Sequence, residues 1–479
     1  MLKEKCGLLS YIGLSSEMLL QDFIERLEML QHRGRDSVGL YYLSDSGEYK
    51  MFHRKGSIHE IFFENPSEDV KLLLSEKSKM IMGHLRYATS NVSDDDLMQP
   101  LINSKKNIAV AHNGNIPCAM LKHIIKKINT EYFKFDVDVN DEFHDTTVFF
   151  KYLSQYDETG LSFDEHLCKT NKYFNGAYNF IIMHNNDVYI VRDKRGYRPL
   201  CYGYDNRNNM LISSESVAFG NGYNYANDVI CNSVMKIVDN MIIKIDDNKI
   251  IKFNNSNCVF EYIYFMNELS VVRTSSIKMR VEAYRIELGR QLALQEMANG
   301  LDFGKYNKKD ILVVGSPNTA IPGAISYAKK MGLDYQQVLI KKKNTGRTFI
   351  ILENDKRNVY FKKFELNKEK IKNKIIIFID DSIVRGNTIE NLCYLFKNNG
   401  ASEIHVRSLS PPIAFPCYYG IHVPTKEELI INNNTIDEIT KKINLDSLMY
   451  LDINRLKNIF EDNICMGCFN GQYDPDILF

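Results

Sequence analysis

Two adjacent carboxylates follow an apolar run in the second half of the chain, and a short polar loop follows them. The residues from Ile375 to Ile379 are apolar on both faces, which is typical of a strand buried in a parallel sheet. Asp380 and Asp381 come next, then a glycine-containing loop, then an amphipathic helix pattern from Ile389. A strand–loop–helix of this kind can bind an anion at the helix N-terminus, and its acids can bind a diol or Mg²⁺. Either the segment binds a ribose phosphate, or its acids are solvated or cap the helix.

The string DDSIVRGNT from Asp380 to Thr388 resembles the loop with which type I phosphoribosyltransferases bind phosphoribosyl pyrophosphate (PRPP). Its particular form is similar to that of the glutamine PRPP amidotransferases. The resemblance implies that Asp380 and Asp381 bind the ribose hydroxyls and help to place Mg²⁺. The loop that holds the 5′-phosphate would comprise Ser382, Arg385, Gly386, Asn387 and Thr388.

A cysteine stands close to the start of the chain, where Cys6-Gly7 precedes an apolar pair. One cysteine at such a place is usually a small buried side chain. Polar loops recur after it, each at the end of an apolar strand. Their sequences are LQHRGRDSVG (30–39), GHLRYAT (83–89), AHNGN (111–115), FHDTT (143–147) and RDKRGYRPL (192–200). In this order the loops resemble the class II glutamine amidotransferase domain, an N-terminal-nucleophile (Ntn) hydrolase fold.

The resemblance gives Cys6 a chemical role that depends on its position. In such enzymes the thiol is the nucleophile and the α-amino group of the same residue is the general base. An α-amine with a pKa of about 7.7–8.0 suits proton transfer near neutral pH. The amine of Cys6 becomes available only when residues 1–5 have been removed, so the resemblance implies a five-residue propeptide.

The remaining glutaminase residues are also assigned by the resemblance. The side chain of Asn113 and the backbone N–H of Gly114 would form an oxyanion hole. Arg86 would bind the α-carboxylate of glutamine and Asp145 its α-ammonium, in a pocket that the buried Arg33 orders. Because the base is already supplied, four histidines in these loops are expected to pack or support rather than catalyse: His32, His84, His112 and His144.

Two further segments of the second half resemble PRPP-binding loops of the same family. Residues 316–320, SPNTA, resemble the pyrophosphate loop; Asn318 stands where the family has an acid, so the metal-linked hydroxyl is assigned to Thr319. Residues 341–350 resemble the flexible loop that closes over PRPP, with Lys341 and Arg347 as PRPP-binding residues. The family pattern there is K-N-R-Y-x-G-R-T, and Asn344 replaces its tyrosine. The tightness of ammonia transfer between the two sites is therefore open.

Four cysteines in the second half suggest a metal centre. Cys465 and Cys468 have the C-x₂-C spacing that lets two thiolates share one centre. Cys258 and Cys417 stand in segments that resemble the other ligands of an iron–sulfur site in one branch of the family. Thiolates suit zinc and [4Fe–4S] alike. The resemblance favours the cluster, and the branch with the cluster is also the branch with the propeptide. The other cysteines after Cys6 are expected to pack: Cys118, Cys168, Cys201, Cys231 and Cys393.

Length and composition are compatible with a cytoplasmic enzyme of two or three domains. The chain has 479 residues and a formal net charge of zero, so nothing indicates bulk nucleic-acid or membrane-surface binding. No apolar run is long enough for a transmembrane helix, and the first five residues are too short and too charged for a secretory signal. Ten cysteines without such a signal indicate a reducing compartment.

The pattern of elements changes near the polar run at 254–257. Before it, short alternating strands and a few helices predict layered α+β structure, and after it strand–helix–strand order predicts a parallel α/β sheet. The predicted domains are a propeptide (1–5), an α+β Ntn glutaminase domain (6–255) and an α/β type I phosphoribosyltransferase domain (258–479). The predicted helices and strands that test this division are helices near 19–30, 121–128 and 321–331, a hairpin of 178–183 and 188–191, and strands at 235–238, 241–245, 249–253, 311–314, 338–340, 375–379 and 404–406.

The resemblance as a whole implies an amidophosphoribosyltransferase, which makes 5-phosphoribosylamine, glutamate and pyrophosphate from glutamine, PRPP and water at the entry to purine synthesis. It also implies Mg²⁺, a [4Fe–4S] cluster, a homotetramer and feedback inhibition by purine nucleotides. A salvage phosphoribosyltransferase would not need a glutaminase half, and a glucosamine-6-phosphate synthase would lack Asp380-Asp381. A catalytically silent regulatory paralogue remains an alternative, because Asn318 and Asn344 depart from the family pattern.

Overall fold

The computed structural model describes residues 6–87, 97–131, 145–247, 257–273, 278–299, 303–341, 364–421, 425–460 and 464–474. In the first half of the chain, the strands are β1 (Gly7–Ile12), β2 (Met18–Leu19), β3 (Ser37–Leu43), β4 (Tyr49–Lys55), β5 (Lys77–Ser78), β6 (Met80–Arg86), β7 (Leu101–Asn103), β8 (Ile108–Asn115), β9 (Ala177–His184), β10 (Asp187–Arg192), β11 (Cys201–Tyr204), β12 (Met210–Ser213), β13 (Asn224–Asp228), β14 (Ser233–Val238) and β15 (Met241–Lys244). The helices there are α1 (Leu20–Glu28), α2 (Glu68–Ser75), α3 (Cys118–Glu131), α4 (Asp145–Leu153) and α5 (Phe163–Tyr173).

Two antiparallel sheets form the centre of this half. One has the strand order β13-β11-β12-β1-β6-β3-β4 and the other β15-β14-β10-β9-β8-β7 among the described residues. A shared apolar layer that includes Leu8, Met82, Ile181 and Ile190 lies between the sheets. The apolar face of α1 packs on the outside of the first sheet, and α3, α4 and α5 pack on the outside of the second. The result is a four-layer arrangement, and the sequence predicts layered α+β structure.

Helix α1 shows how the sequence builds one of these layers. Leu20, Phe23 and Leu27 are buried at helical spacing. Phe23 lies directly on Gly83 of β6, where a Cβ atom would come within 2.7 Å of the ring. A side chain at position 83 would therefore push the helix away from the sheet.

The second half contains a parallel sheet covered on both faces. Its strands are β16 (Asn257–Cys258), β17 (Val271–Arg273), β18 (Lys278–Arg280), β19 (Ile311–Gly315), β20 (Asp334–Tyr335), β21 (Leu339–Lys341), β22 (Phe364–Leu366), β23 (Ile375–Asp380), β24 (Glu403–Ser408), β25 (Ser447–Tyr450) and β26 (Ile464–Cys465). Its helices are α6 (Val281–Asn299), α7 (Ile321–Met331), α8 (Asn387–Asn398), α9 (Ile430–Asn433), α10 (Ile436–Ile443), α11 (Ile453–Phe460) and α12 (Gly467–Asn470). The sheet order is β20-β19-β23-β24-β25, and its neighbouring strands pair in parallel.

Helices cover both faces of this sheet. α6, α7 and α11 pack on one face, and α8 and α10 on the other. α6 and α7 cross so closely that a Cβ atom on Gly289 would lie 1.9 Å from the carbonyl oxygen of Gly323. None of the described helices is long and apolar enough to cross a bilayer.

The structure confirms most predicted elements and differs at one strand. The early helix, the hairpin of β9 and β10, and the strand that ends in Asp380 are present. The prediction at 249–253 and most of the run at 254–257 lie outside the described residues. The strand predicted at 338–340 is present as β21, but it pairs antiparallel with β22 instead of joining the parallel sheet. The position beside β19 is taken by the two-residue strand β20, and the chain leaves the sheet after Tyr335.

Candidate active sites

Cys6 lies at the start of the central strand of the first sheet. Strand β1 begins at Gly7 and is flanked by β6 and β12, both antiparallel to it. The end of β6 at Arg86 and the end of β12 at Ser213 therefore lie at the same edge of the sheet as Cys6. The backbone carbonyl oxygen of Cys6 accepts a hydrogen bond from Nε of Arg33 at 3.1 Å. This edge brings together three of the residues that the sequence assigns to the glutaminase site.

The predicted oxyanion-hole residues lie at the end of β8 in the second sheet. Gly114 has φ +152°, and a Cβ atom there would stand 2.0 Å from the carbonyl oxygen of Ala177, so only glycine fits. The buried amide of Asn113 donates to Oγ of Ser214 at 3.4 Å. The same hydroxyl accepts the backbone N–H of Leu8 at 3.0 Å. Ser214 therefore connects Asn113 to the strand that carries Cys6.

Asp145 is the first residue of α4 and lies against the end of β8. Its Oδ2 accepts the N–H of Ile116 at 2.8 Å, and its Oδ1 accepts the N–H of Thr146 at 2.7 Å. The predicted glutamine-binding acid is thus held beside the oxyanion strand by two backbone donors.

Three of the four histidines named in the sequence analysis make hydrogen-bond contacts with neighbouring residues. Nε2 of His84 contacts the carbonyl oxygen of His112 at 3.1 Å. Burial lowers the pKa of His84 to about 3, so its ring is neutral near pH 7. Nδ1 of His112 contacts Oγ1 of Thr146 at 2.9 Å, and burial lowers the pKa of His112 as well. His32 contacts Glu215 at 2.7 Å, and His144 lies outside the described residues.

A buried ion network surrounds Arg33. Nη1 of Arg33 donates to Oε1 of Glu215 at 2.5 Å and to Oε2 of Glu261 at 3.1 Å. Its Nη2 donates to Oε1 of Glu261 at 3.2 Å, and Nη1 of Arg198 donates to the same oxygen at 2.9 Å. All four side chains are at most 2% exposed. Burial alone would lower the pKa of Arg33, but the two carboxylates outweigh it and raise the pKa.

The sequence interpretation missed Ser214, Glu215 and Glu261. Ser214 and Glu215 directly follow the apolar strand β12, as the predicted site residues follow their strands. Glu261 interrupts the buried apolar run from Val259 to Ile263. An acid inside such a run is a signal that sequence alone contains, because buried carboxylates need partners.

The two acids of the predicted PRPP site lie at the carboxyl edge of the parallel sheet. Asp380 ends β23 and Gly315 ends β19. Because the two strands pair in parallel, both ends lie at the same edge of the sheet. Oγ1 of Thr319 donates to Oδ2 of Asp381 at 2.5 Å, and Oγ of Ser382 donates to its Oδ1 at 2.9 Å. The structure therefore joins the loop predicted to bind pyrophosphate to the acids predicted to bind ribose.

The acids form a buried negative pair. Asp380 and Asp381 are 5% and 6% exposed. Burial raises the pKa of Asp380 well above its usual value, and the neighbouring Asp381 raises it further. Two carboxylates and the hydroxyl of Thr319 are the hard oxygen ligands that Mg²⁺ prefers, and a bound cation would relieve the repulsion. The residues present fit the metal that the sequence predicts.

The loop after the acids leads into α8, a helix of 12 residues. Gly386 precedes it with φ +82°, and a Cβ atom there would lie 2.5 Å from Cδ1 of Ile430. Asn387 and Thr388 form the first turn, where backbone N–H groups can face an anion. Nε of Arg385 donates to Glu428 at 2.8 Å. Lys341, also predicted to bind PRPP, is the last residue of β21. Arg347 and Asn344 lie outside the described residues.

The four cysteines of the predicted cluster come together from three distant segments. Cys258 and Cys465 are register partners in the parallel pair of β16 and β26. The backbone N–H groups of residues 414 and 415 donate to the carbonyl oxygen of Cys468 at 3.0 and 3.1 Å, which brings the segment with Cys417 alongside. Burial raises the pKa of Cys468 well above its usual value, and the other three thiols raise it further.

This group of four thiols has the chemistry of a metal centre. Burial raises the pKa of Cys465 to about 12, so a cation is needed to hold its thiolate. Ligand sulfurs of a tetrahedral zinc ion lie about 3.8 Å apart, from Zn–S bonds of about 2.3 Å. Across the described ranges, no three Cys, His, Asp or Glu side chains come close enough together to hold a metal ion.

Fold and sites define a class II glutamine amidotransferase of the Ntn type joined to a phosphoribosyltransferase. Residues 66–262 match the glutamine amidotransferase domain. The chain is 31% identical to an amidophosphoribosyltransferase of Methanothermobacter thermautotrophicus, over 98% of this chain and 94% of that protein. It is 30% identical to the human amidophosphoribosyltransferase, over 97% and 90% of the two chains. The chain belongs to the amidophosphoribosyltransferase family, which is a family of pentosyltransferases.

Solved structures agree with this assignment. The glutamine PRPP amidotransferase of Bacillus subtilis, solved in complex with ADP and GMP, superimposes with a TM-score of 0.80 at 29% identity, over 98% of this chain and 97% of that one. A structure described as the allosteric regulatory enzyme of purine biosynthesis superimposes with a TM-score of 0.81 at 29% identity, over 98% and 96%. The similarity therefore extends over both halves of the chain.

Proposed function

We propose that this chain makes 5-phosphoribosylamine from glutamine, PRPP and water, with glutamate and pyrophosphate as the other products, and that this reaction opens purine synthesis. The observation that carries the proposal is the pairing of two separate sites in one chain. Cys6, Arg33 and Arg86 lie at one edge of the antiparallel layers, and the acids with Thr319 lie at the carboxyl edge of the parallel sheet. The first set suits amide hydrolysis and the second suits a pyrophosphorylated ribose.

In the glutaminase site, the thiol of Cys6 would attack the side-chain amide of glutamine after its proton passes to the α-amine. Asn113 and Gly114 would stabilise the oxyanion, and the amine would then protonate the departing ammonia. Arg86 and Asp145 would hold the α-carboxylate and α-ammonium of the substrate. Water would release glutamate from the thioester. These roles require a mature chain that begins at Cys6, without residues 1–5.

In the second site, ammonia would attack C1 of PRPP while pyrophosphate leaves. Asp380 and Asp381 would accept hydrogen bonds from the ribose hydroxyls, and with Thr319 they would hold Mg²⁺, which neutralises the pyrophosphate. The backbone around the start of α8 would hold the 5′-phosphate. The remaining PRPP-binding residues in this proposal are Ser382, Arg385, Gly386, Asn387, Thr388, Lys341 and Arg347.

The four cysteines would hold a [4Fe–4S] cluster rather than zinc. The support for this proposal is the convergence of four thiols from three segments, since thiolate-only ligation suits such a cluster. The cluster would tie together three segments that are distant in sequence.

Domain bounds, location, assembly and regulation complete the proposal. The domains would be the propeptide (1–5), the glutaminase (6–255) and the phosphoribosyltransferase (258–479). The enzyme would be a cytoplasmic homotetramer that purine nucleotides inhibit, and the ADP and GMP bound to the Bacillus subtilis relative support that regulation. The alternative is a catalytically silent regulatory paralogue. The reason for keeping it is that Asn318 and Asn344 depart from the family pattern.

A Cys6→Ser variant tests the proposal. The wild type should lack residues 1–5 by intact mass and release pyrophosphate from PRPP with either glutamine or ammonia. The variant should lose the reaction with glutamine, because a hydroxyl is a much poorer nucleophile than a thiol, and keep the reaction with ammonia. An active enzyme that retains residues 1–5, or a variant that uses glutamine normally, would contradict the mechanism. A wild type without either activity would identify the silent paralogue.

A further inference from the structure

We propose that Glu261, at the C-terminal end of the region that matches the glutamine amidotransferase domain, is a positioning residue for the glutaminase reaction. Its carboxylate holds Arg33, and Arg33 in turn holds the backbone of Cys6. The inference rests on the proposed function, in which Cys6 supplies both nucleophile and base.

The first step of the argument is the short path from Glu261 to the nucleophile. Both carboxylate oxygens of Glu261 accept from Arg33, at 3.1 and 3.2 Å. Nε of the same guanidinium donates to the carbonyl oxygen of Cys6. Because a guanidinium is planar and rigid, fixing Nη1 and Nη2 also fixes the direction of Nε. The orientation of Glu261 thus sets where the backbone of Cys6 is held, and the amine and thiol belong to that residue.

The second step is the charge balance of the network. Arg33 and Arg198 carry two positive charges, and Glu215 and Glu261 carry two negative charges, all of them buried. A neutral group at position 261 would leave a net buried positive charge beside Cys6. When a buried charge loses its partner, the surrounding side chains reorganise or water enters the site. Either change would displace Arg33.

The third step is that Glu215, the other carboxylate of the network, cannot substitute for Glu261. Oε1 of Glu215 already accepts from Arg33 and contacts His32. Its Oε2 accepts the N–H of Asn267 and the hydroxyl of Ser270, both at 2.7 Å. Glu215 is therefore saturated.

Glu261 and its second partner Arg198 also lie close to the segments that carry two of the four cysteines. Glu261 begins a helical turn three residues after Cys258. Arg198, which shares its oxygen Oε1, also donates to the carbonyl oxygen of Gly420, three residues after Cys417. The segments that carry two of the four cysteines thus fix Glu261 and its second partner.

The chain offers a matched control for a variant of Glu261. Glu296 lies in α6 of the second domain, is 2% exposed, and accepts two hydrogen bonds from the buried Arg407 and one from the hydroxyl of Tyr327. Glu296→Gln removes the same charge from the same kind of buried pair. Its partners Tyr327 and Arg407 lie in α7 and β24, which belong to the parallel-sheet half of the chain.

The experiment compares Glu261→Gln and Glu296→Gln in the full-length mature enzyme, with glutamine or ammonium chloride as the nitrogen source. For Glu261→Gln we expect kcat with glutamine to fall about 10- to 100-fold, the loss typical of a small displacement of a catalytic group. KM for glutamine and the rate with ammonia should stay unchanged, because Arg86, Asp145 and the PRPP site are untouched. Glu296→Gln should leave the ratio of the two rates unchanged. Arg33→Lys combined with Glu261→Gln should lose no more than the worse single variant, since both act through one contact.

Three outcomes would overturn the inference. One is a parallel fall of both activities, which means a structural role only. Another is a rise in KM for glutamine at constant kcat, which means a role in binding. The third is no change at all. If Glu261→Gln yields no folded enzyme, Glu261→Asp replaces it, because it keeps the charge but shortens the side chain. The ratio of the rate with glutamine to the rate with ammonia then tests the inference in the same way. Failure of the proposed function is distinguishable, because then either the wild type would show no activity or the Cys6→Ser variant would still use glutamine, whatever stands at position 261.

Discussion

Asn113→Ala should abolish most glutamine use without affecting the second site. The side chain is 1% exposed, and its amide donates to the hydroxyl of Ser214 at the long distance of 3.4 Å. Its amide is thus free to turn toward the oxyanion of a substrate bound to Cys6. Loss of one oxyanion donor lowers kcat by about 10²–10³, or about 2.7–4 kcal/mol of transition-state stabilisation. The effect on folding should be smaller, about 1 kcal/mol, because Ser214 keeps its bond to Leu8.

The assay is pyrophosphate release from PRPP with saturating glutamine or with ammonia at alkaline pH, where more of it is unprotonated. Asn209→Ala is the matched control. Asn209 is a buried amide of the same domain that accepts the N–H of Leu14 at 3.1 Å, at the opposite edge of the sheet. It should become less stable without any change in the ratio of the two rates. A loss of less than about tenfold with glutamine in Asn113→Ala, or an equal loss with ammonia, would refute the oxyanion assignment.

Three further predictions concern the second site, the cysteines and pH. Asp381→Asn should abolish pyrophosphate release with glutamine and ammonia alike, because both routes need PRPP; a variant with normal turnover would contradict the PRPP site. Enzyme purified without oxygen should be brown with about four irons per chain, and Cys465→Ser should lose all of them and fold poorly; stoichiometric zinc without visible absorbance would contradict the cluster. The pKa of about 3 for His84 lies below its ordinary 6.5, so its contribution to stability is present above pH 6.5 and is lost as pH falls toward 3. Between about pH 7 and pH 5 this amounts to about 2 kcal/mol, and urea midpoints should show a flatter pH dependence in His84→Gln; an unchanged slope would mean that other groups dominate.

The order of elements and most site residues could be predicted from local sequence. Several of these residues, such as Arg86, Asn113 and Asp380, stand at the end of an apolar strand, and strand periodicity is a local property of the chain. Asp145 differs, because it begins a helix. The resemblance assigned Thr319 and Asp381 to one Mg²⁺ site, and the parallel pairing of β19 and β23 brings the loops after them to one edge. The strand at Leu339 was predicted as a strand but not with its antiparallel partner near Phe364, since pairing depends on a segment more than twenty residues away.

What the sequence by itself determined about this protein is its family and the identity of its chemical groups: a cysteine near the start, an amide–glycine pair after a strand, and two acids before a loop. Only the tertiary structure decided how those groups are held. Glu261 belongs to none of the glutaminase loops that the sequence analysis singled out, yet it holds Arg33 from a position 228 residues further along the chain. The physical reason is that a buried ion network is satisfied in three dimensions, by whichever carboxylate the packed chain brings within hydrogen-bond distance of the guanidinium. Arg33 and Glu261 are 228 residues apart in the sequence, so no local sequence pattern indicates that they are in contact.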